Sequence, residues 1–101
     1  MNDQDATENL LVALRHPVRR EILAKVIEGG EPISPKELAE SLKTPLSNLS
    51  YHARVLVECD MLDLVDTRPR RGSIQHFYEA SELIEHPMVK AALGLNDAGG
   101  A

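Results

Sequence analysis

Apolar residues recur at helical spacing as far as Cys59 and at strand spacing for a short stretch after it. The spacing predicts a first short helix capped by Thr7 and carrying Leu10, Leu11 and Leu14. His16-Pro17 breaks the chain and restarts it, because proline suits a first helical turn. A second helix runs to about Ile27 with Val18, Ile22, Leu23 and Val26 inward, and Gly29-Gly30 ends it. Ser34-Pro35-Lys36-Glu37 is a capping box with proline at the first helical position. It opens a short third helix, Pro35 to about Leu42, that turns Leu38, Ala39 and Leu42 inward. Thr44-Pro45 predicts the same kind of start for a fourth helix reaching about Cys59. MLDLVDT and SIQHFYEA, parted by RPRRG, then read as an antiparallel hairpin about a loop. From Ser81 a last helical stretch begins, interrupted at His86-Pro87, with Met88, Val89, Ala92 and Leu93 on one side. The fold class is mainly α with a two-stranded β-hairpin. One domain over residues 7–95 is expected, between flexible tails at 1–6 (acidic) and 96–101.

The fourth helix has an unusual polar side. At about 100° per residue, Leu49, Ala53 and Leu56 share one narrow arc, with Leu46 and Val57 beside it. Ser47, Tyr51 and Arg54 cluster opposite, and Asn48 sits at the edge of that polar face. A solvated helix face usually carries Lys and Glu. This one carries a hydroxyl, an amide, a phenol and a guanidinium, all able to make directed hydrogen bonds.

Composition narrows the partners. The formal charge is −5, which taken whole argues against nucleic acid. The signs are segregated, however. Arg15, Arg19, Arg20 and Lys25 face Glu21 alone, Lys43 and Arg54 have no acid between them, and Arg68, Arg70 and Arg71 stand together. Such islands suggest one basic face, which sets a local field whatever the total; charges scattered for solubility are the competing account. No apolar run approaches the roughly 20 residues that span a bilayer, so no membrane is expected. MNDQDATEN lacks the apolar core of a secretory signal, and the single Cys59 fits a reducing cytoplasm.

Two short helices about a tight turn, followed by a basic-tipped hairpin, make a winged helix-turn-helix. In that arrangement the third helix braces the fourth so that its polar face can enter the major groove of double-stranded DNA. Asn48 could pair with adenine, Ser47 and Tyr51 could reach a base or a phosphate, and Arg54 a phosphate or guanine. Arg68, Arg70 and Arg71 suit phosphates or a narrow minor groove, and Gly72 lets the chain turn there.

From Ala13 to Ser81, about two-thirds of its length, the chain also resembles the small ArsR-like winged-helix transcriptional regulators. The matching residues are ALRHPVRREIL (13–23), ELAESL (37–42), LSYHARVL (49–56) and HFYEAS (76–81). The resemblance implies a cytoplasmic DNA-binding homodimer, with the terminal helices forming the dimer contact. Ser47, Asn48, Ser50, Tyr51, His52 and Arg54 lie on the element resembling the recognition helix. Leu10, Leu11 and Leu14 near one end, with Met88, Val89, Leu93 and Leu95 near the other, are the apolar stripes expected at that contact.

Metal-sensing members of that family carry a Cys-x-Cys site early in the equivalent third helix, or His and acid ligands on the last helix. Residues 34–42 here hold no cysteine, and Cys59 has no His or Cys within four positions. Glu82, Glu85 and His86 would share one side of a continuous helix, as half of an intersubunit metal site or as a solvated acidic face. The second reading is preferred, and no metal or cofactor is expected. His52 points between the apolar arc and the polar face, where a packed histidine competes with a DNA contact. No nucleophile elbow, phosphate-binding Gly-rich loop or Cys-x-x-Cys pair supports an enzyme. Two functions remain: a sequence-specific DNA-binding regulator, a dimeric repressor, or a winged-helix module that binds protein and has little specific affinity for DNA. No effector is named by the sequence.

Overall fold

Three of the helices begin at a proline whose preceding side chain caps the first turn. The computed structural model describes the backbone of residues 3–94 and the side chains of 7–94. In it, α1 (Asp3–Arg15), α2 (Pro17–Gly29), α3 (Pro35–Leu42) and α4 (Leu46–Glu58) are followed by β1 (Leu62–Arg70) and β2 (Ser73–Ala80). A single 3-10 turn (Glu82–Glu85) leads into α5 (Pro87–Leu93). His16 Nδ1 accepts from Val18 N–H at 3.1 Å, Ser34 Oγ from Glu37 N–H at 3.2 Å, and His86 Nδ1 from Met88 N–H at 3.0 Å. Each bond satisfies a donor that a helix start leaves free. Gly30, Lys43 and Gly94 close α2, α3 and α5 in the left-handed conformation.

Two helix starts differ from expectation. α1 begins at Asp3, so Thr7 lies inside it and residues 3–6 of the expected tail are helical. Nothing in DQDA breaks a helix, and Ala6 favours one. At α4 the cap is Pro45, with no side-chain hydrogen bond, and Thr44 Oγ1 instead donates back to Leu42 O at 3.1 Å. Leu95 and the expected tail at 96–101 lie outside the described residues.

α1, α2, α4 and α5 close around one core, with α3 laid against α2 and α4. Leu49, Ala53 and Leu56 are fully buried, each buried leucine being worth about 1.5–3 kcal/mol. Leu10, Leu14 and Val89 also enter this core. They are therefore consumed by the monomer; of the expected stripes Leu11 (51% exposed) and Met88 stay exposed and Leu93 is half-buried, with Val12 exposed next to Leu11. Cys59 is buried too, and its burial pushes the thiol pKa up.

The hairpin is longer and its loop tighter than RPRRG suggested. β1 runs on through Arg70, which pairs with Ser73, and only Arg71-Gly72 turn the chain. Both have positive φ, 44° and 85°, the pattern of a two-residue primed turn that matches strand twist. Pro69 is tolerated because β1 is the outer strand. The register slips between Leu64 and Asp66, a bulge that leaves Leu64 and Val65 exposed together. On the other side of β2, Ile33 and Tyr78 exchange two backbone hydrogen bonds of 2.9 Å, tying the wing to the segment before α3. Ser81 Oγ donates to Asp60 O at 2.6 Å and pins the hairpin's base.

The break at Pro87 also decides the Glu82, Glu85 and His86 group. The helix is not continuous, His86 Nδ1 is occupied by the α5 cap, and Glu85 pairs with Lys90 at 2.8 Å.

Between α2 and α4 the core is polar. Arg19 (8% exposed) and His52 (9%) are buried, and among the described residues no group hydrogen-bonds Arg19 Nε or His52 Nδ1. The His52 ring lies 4.2 Å from that of His16, with Tyr51 edge-on at 5.1 Å. Burial, and then the nearby His16 and Arg19, lower the His52 pKa from its ordinary 6.5. The unfolded chain therefore binds this proton more readily, so the His52 contribution is intact above pH 6.5 and lost as pH falls through the folded value. Thermal melting should show a midpoint that declines as the buffer is acidified through this window, and the decline should be shallower in His52→Met. An equal slope in the variant would assign the effect to another group.

Candidate nucleic-acid interface

α4 presents the face its periodicity required. Ser47, Asn48, Tyr51 (55% exposed) and Arg54 all point outward, and Ser50 is half-buried. His52 does not join them. It lies three residues from Leu49 and four from Leu56, on the flank of the buried arc, and α2 covers it with His16. Burial raises the Tyr78 pKa, and the nearby Arg54 guanidinium opposes that rise.

The three wing arginines are not equivalent. Arg68 Nε pairs with Asp66 at 3.0 Å, and its guanidinium lies 4.5 Å over the Phe77 ring, so it is engaged within the hairpin while staying exposed. Arg70 Nη1 donates to the neutral Gln75 Oε1 at 3.1 Å and keeps its charge. Arg71 stands at the turn itself, and among the described residues no acid pairs with either.

The basic island at 15–25 is also dispersed. Arg20 Nη1 caps the end of α1 through Leu14 O (2.6 Å) and Arg15 O (3.2 Å), while Arg19 is buried. Arg19 and Arg20 are thus structural, while Arg15 stays exposed and Lys25 half-buried.

A cleft of about 460 Å³ lies between the start of α3, the first turns of α4 and the wing tip. Lys36, Arg70 and Arg71 line it with Ser50, Ser73 and His76, and no acidic residue does. Leu46 and Ile74 (63% exposed) supply its apolar floor. Sequence reading missed Lys36, Leu46, Ile74, Gln75 and His76. Lys36 was legible only as part of a capping box. Leu46 was placed beside the buried arc, although as the first residue of α4 it projects past the core into the cleft.

A helix-turn-helix domain family model matches residues 14–65, just over half of the chain. The chain belongs to the helix-turn-helix domain family. It is a small, ArsR-like, winged member: HlyU from Vibrio cholerae superposes with a TM-score of 0.64 at 26% identity, covering 94% of this chain and 92% of that one. NolR from Sinorhizobium fredii superposes at 0.61 with 25% identity, covering 91% and 81%. An ArsR family transcriptional regulator shares the fold at 0.61 with 22% identity, covering 92% and 88%. Curated protein sequences give no match. The family and fold are those of DNA-binding transcriptional regulators, not of enzymes.

Arg71 occupies a position where this helix-turn-helix protein would be more stable with another residue. A non-glycine side chain in the left-handed region costs about 1 kcal/mol or more, and Asn is the residue a primed turn prefers before Gly. Arg71→Asn should therefore raise stability by roughly 0.5–1 kcal/mol in urea melts. A lower midpoint would show that the turn holds Arg71 without strain.

Proposed function

We propose that the protein is a sequence-specific transcriptional regulator that binds double-stranded DNA as a homodimer. The observation that carries this is the acid-free cleft holding Lys36, Arg70 and Arg71, set beside the outward face of α4 on a chain of net charge −5. A group of cations with no acid among them on an acidic protein suits a polyanion. α4 enters the major groove, where Asn48 can pair with adenine and Arg54 with guanine or a phosphate, while Ser47 and Tyr51 meet bases or backbone. Arg70 and Arg71 follow the backbone or a narrow minor groove, with Arg68 contributing less. A regulator of this size acts most simply by occupying its operator, which is repression, and a cytoplasmic location fits a DNA partner. No helix among the described residues is long and apolar enough to cross a membrane.

Dimerisation rests on Leu11 and Val12 of α1 and Met88 of α5, which stay exposed on two helices that touch each other. A two-fold contact there would offer two copies of α4 to half-sites about one helical turn apart. A second reading, a protein-binding module, draws on the exposed Leu64-Val65 pair flanked by Asp63 and Asp66.

Selection from random duplexes should enrich a palindrome. On that site Asn48→Ala or Tyr51→Ala should cost roughly 1–3 kcal/mol for each base interaction removed and leave random DNA nearly unaffected. Arg70→Ala with Arg71→Ala should weaken every duplex alike and flatten the log–log salt slope by about 0.9 for each phosphate no longer neutralised. A parent without a preferred site, matched by helix variants that bind every duplex as it does, would leave only the protein-binding module. For the dimer, sedimentation should give twice the monomer mass for the parent and the monomer for Leu11→Glu. A monomeric parent at micromolar concentration would remove the dimer.

A further inference from the structure

The wing is fastened to the segment before α3 at two levels. At its root, Ile33 and Tyr78 exchange backbone hydrogen bonds. Three residues nearer the tip, a single side chain makes the second fastening. Gln75 Nε2 donates to Ser34 Oγ at 3.0 Å, and Gln75 Oε1 accepts from Arg70 Nη1 at 3.1 Å.

The direction of this chain is fixed by the chemistry of its members. A guanidinium can only donate, so the amide oxygen must face Arg70 and the amide nitrogen must find an acceptor. Ser34 supplies one. Its hydroxyl is fully buried, its only proton points to Glu37 Oε1 at 3.2 Å, and its lone pairs receive Glu37 N–H and Gln75 Nε2. Every hydrogen-bonding capacity of that oxygen is used. The connection therefore runs without a break from the capping box of α3, through Gln75, to a cation in the cleft.

We propose that Gln75 is a positioning residue for DNA binding. It holds the Arg70 guanidinium at a set distance from α3 before a duplex arrives. The inference rests on the reading of the cleft as a DNA site. A guanidinium held beforehand loses less freedom on meeting a phosphate than one that must be ordered at that moment.

A double-mutant cycle tests this. Gln75→Met keeps the length of the side chain and removes both bonds. Duplex affinity is measured against salt for the parent, Gln75→Met, Arg70→Ala and the double variant, with melting followed by circular dichroism. Gln75→Met should weaken binding about fivefold, the effect of one ordinary hydrogen bond. In the Arg70→Ala background it should change affinity by less than about twofold, and its salt slope should fall toward that of Arg70→Ala. A residue that only supports the fold would cost the same in both backgrounds and lower the melting midpoint. Equal losses in the two backgrounds, or parental affinity in Gln75→Met, would overturn the proposal while leaving the DNA reading intact. A parent that binds no duplex would overturn both. If Gln75→Met does not fold, Gln75→Ala takes its place in the cycle with the same outcomes.

Discussion

Helix α4 can bury only one stripe of its surface, and it buries Leu49, Ala53 and Leu56 completely. The polar face of the helix follows from that constraint. With this arc facing the core, a period of 3.6 residues forces Ser47, Asn48, Tyr51 and Arg54 to the outside. α3 is short because it has to brace α4 and little else: Leu38 is its one fully buried anchor, and Lys43 turns the chain tightly enough to start α4 three residues later. The same packing brings the first turn of α4 against the wing and so creates the cleft.

Charge is distributed by tertiary use rather than by sequence position. Of the arginines in the chain, Arg19 is buried, Arg20 caps α1 and Arg68 is paired with Asp66 beneath a cation–π contact. Those residues do mechanical work. The cations left in the cleft, Lys36, Arg70 and Arg71, come from two distant segments. That is how a protein with a formal charge of −5 offers an acid-free surface, and why its total charge is a poor guide to its partner.

Two features cost the fold stability. Arg71 takes a left-handed backbone that Asn or Gly would occupy at lower cost, and it carries a charge to the tip of the wing by doing so. His52 is buried with an unpartnered Nδ1 against His16 and Arg19, where an apolar side chain would leave no polar atom unsatisfied. The first lines the cleft proposed to meet DNA; the structure gives no such account of the second.

The sequence by itself determined the order of elements, the inward arc of α4 and the outward position of Ser47, Asn48, Tyr51 and Arg54, because these depend on local periodicity. Ser34-Pro35 and Gly72 were legible for the same reason: a cap and a turn are decided by residues within four positions of each other. Thr7 and Thr44 misled, since a residue able to cap does so only where a helix happens to start. Only the tertiary structure decided that His52 faces His16, that Leu10, Leu14 and Val89 serve the monomer's own core, and that Arg19 and Arg20 are structural. It alone joined Gln75 to Ser34, 41 residues away, and set Ile74 beside Leu46. Those pairings depend on how the hairpin folds back over α3 and α4. Local patterns fix which way a side chain points along its own element, and long-range packing chooses what it meets.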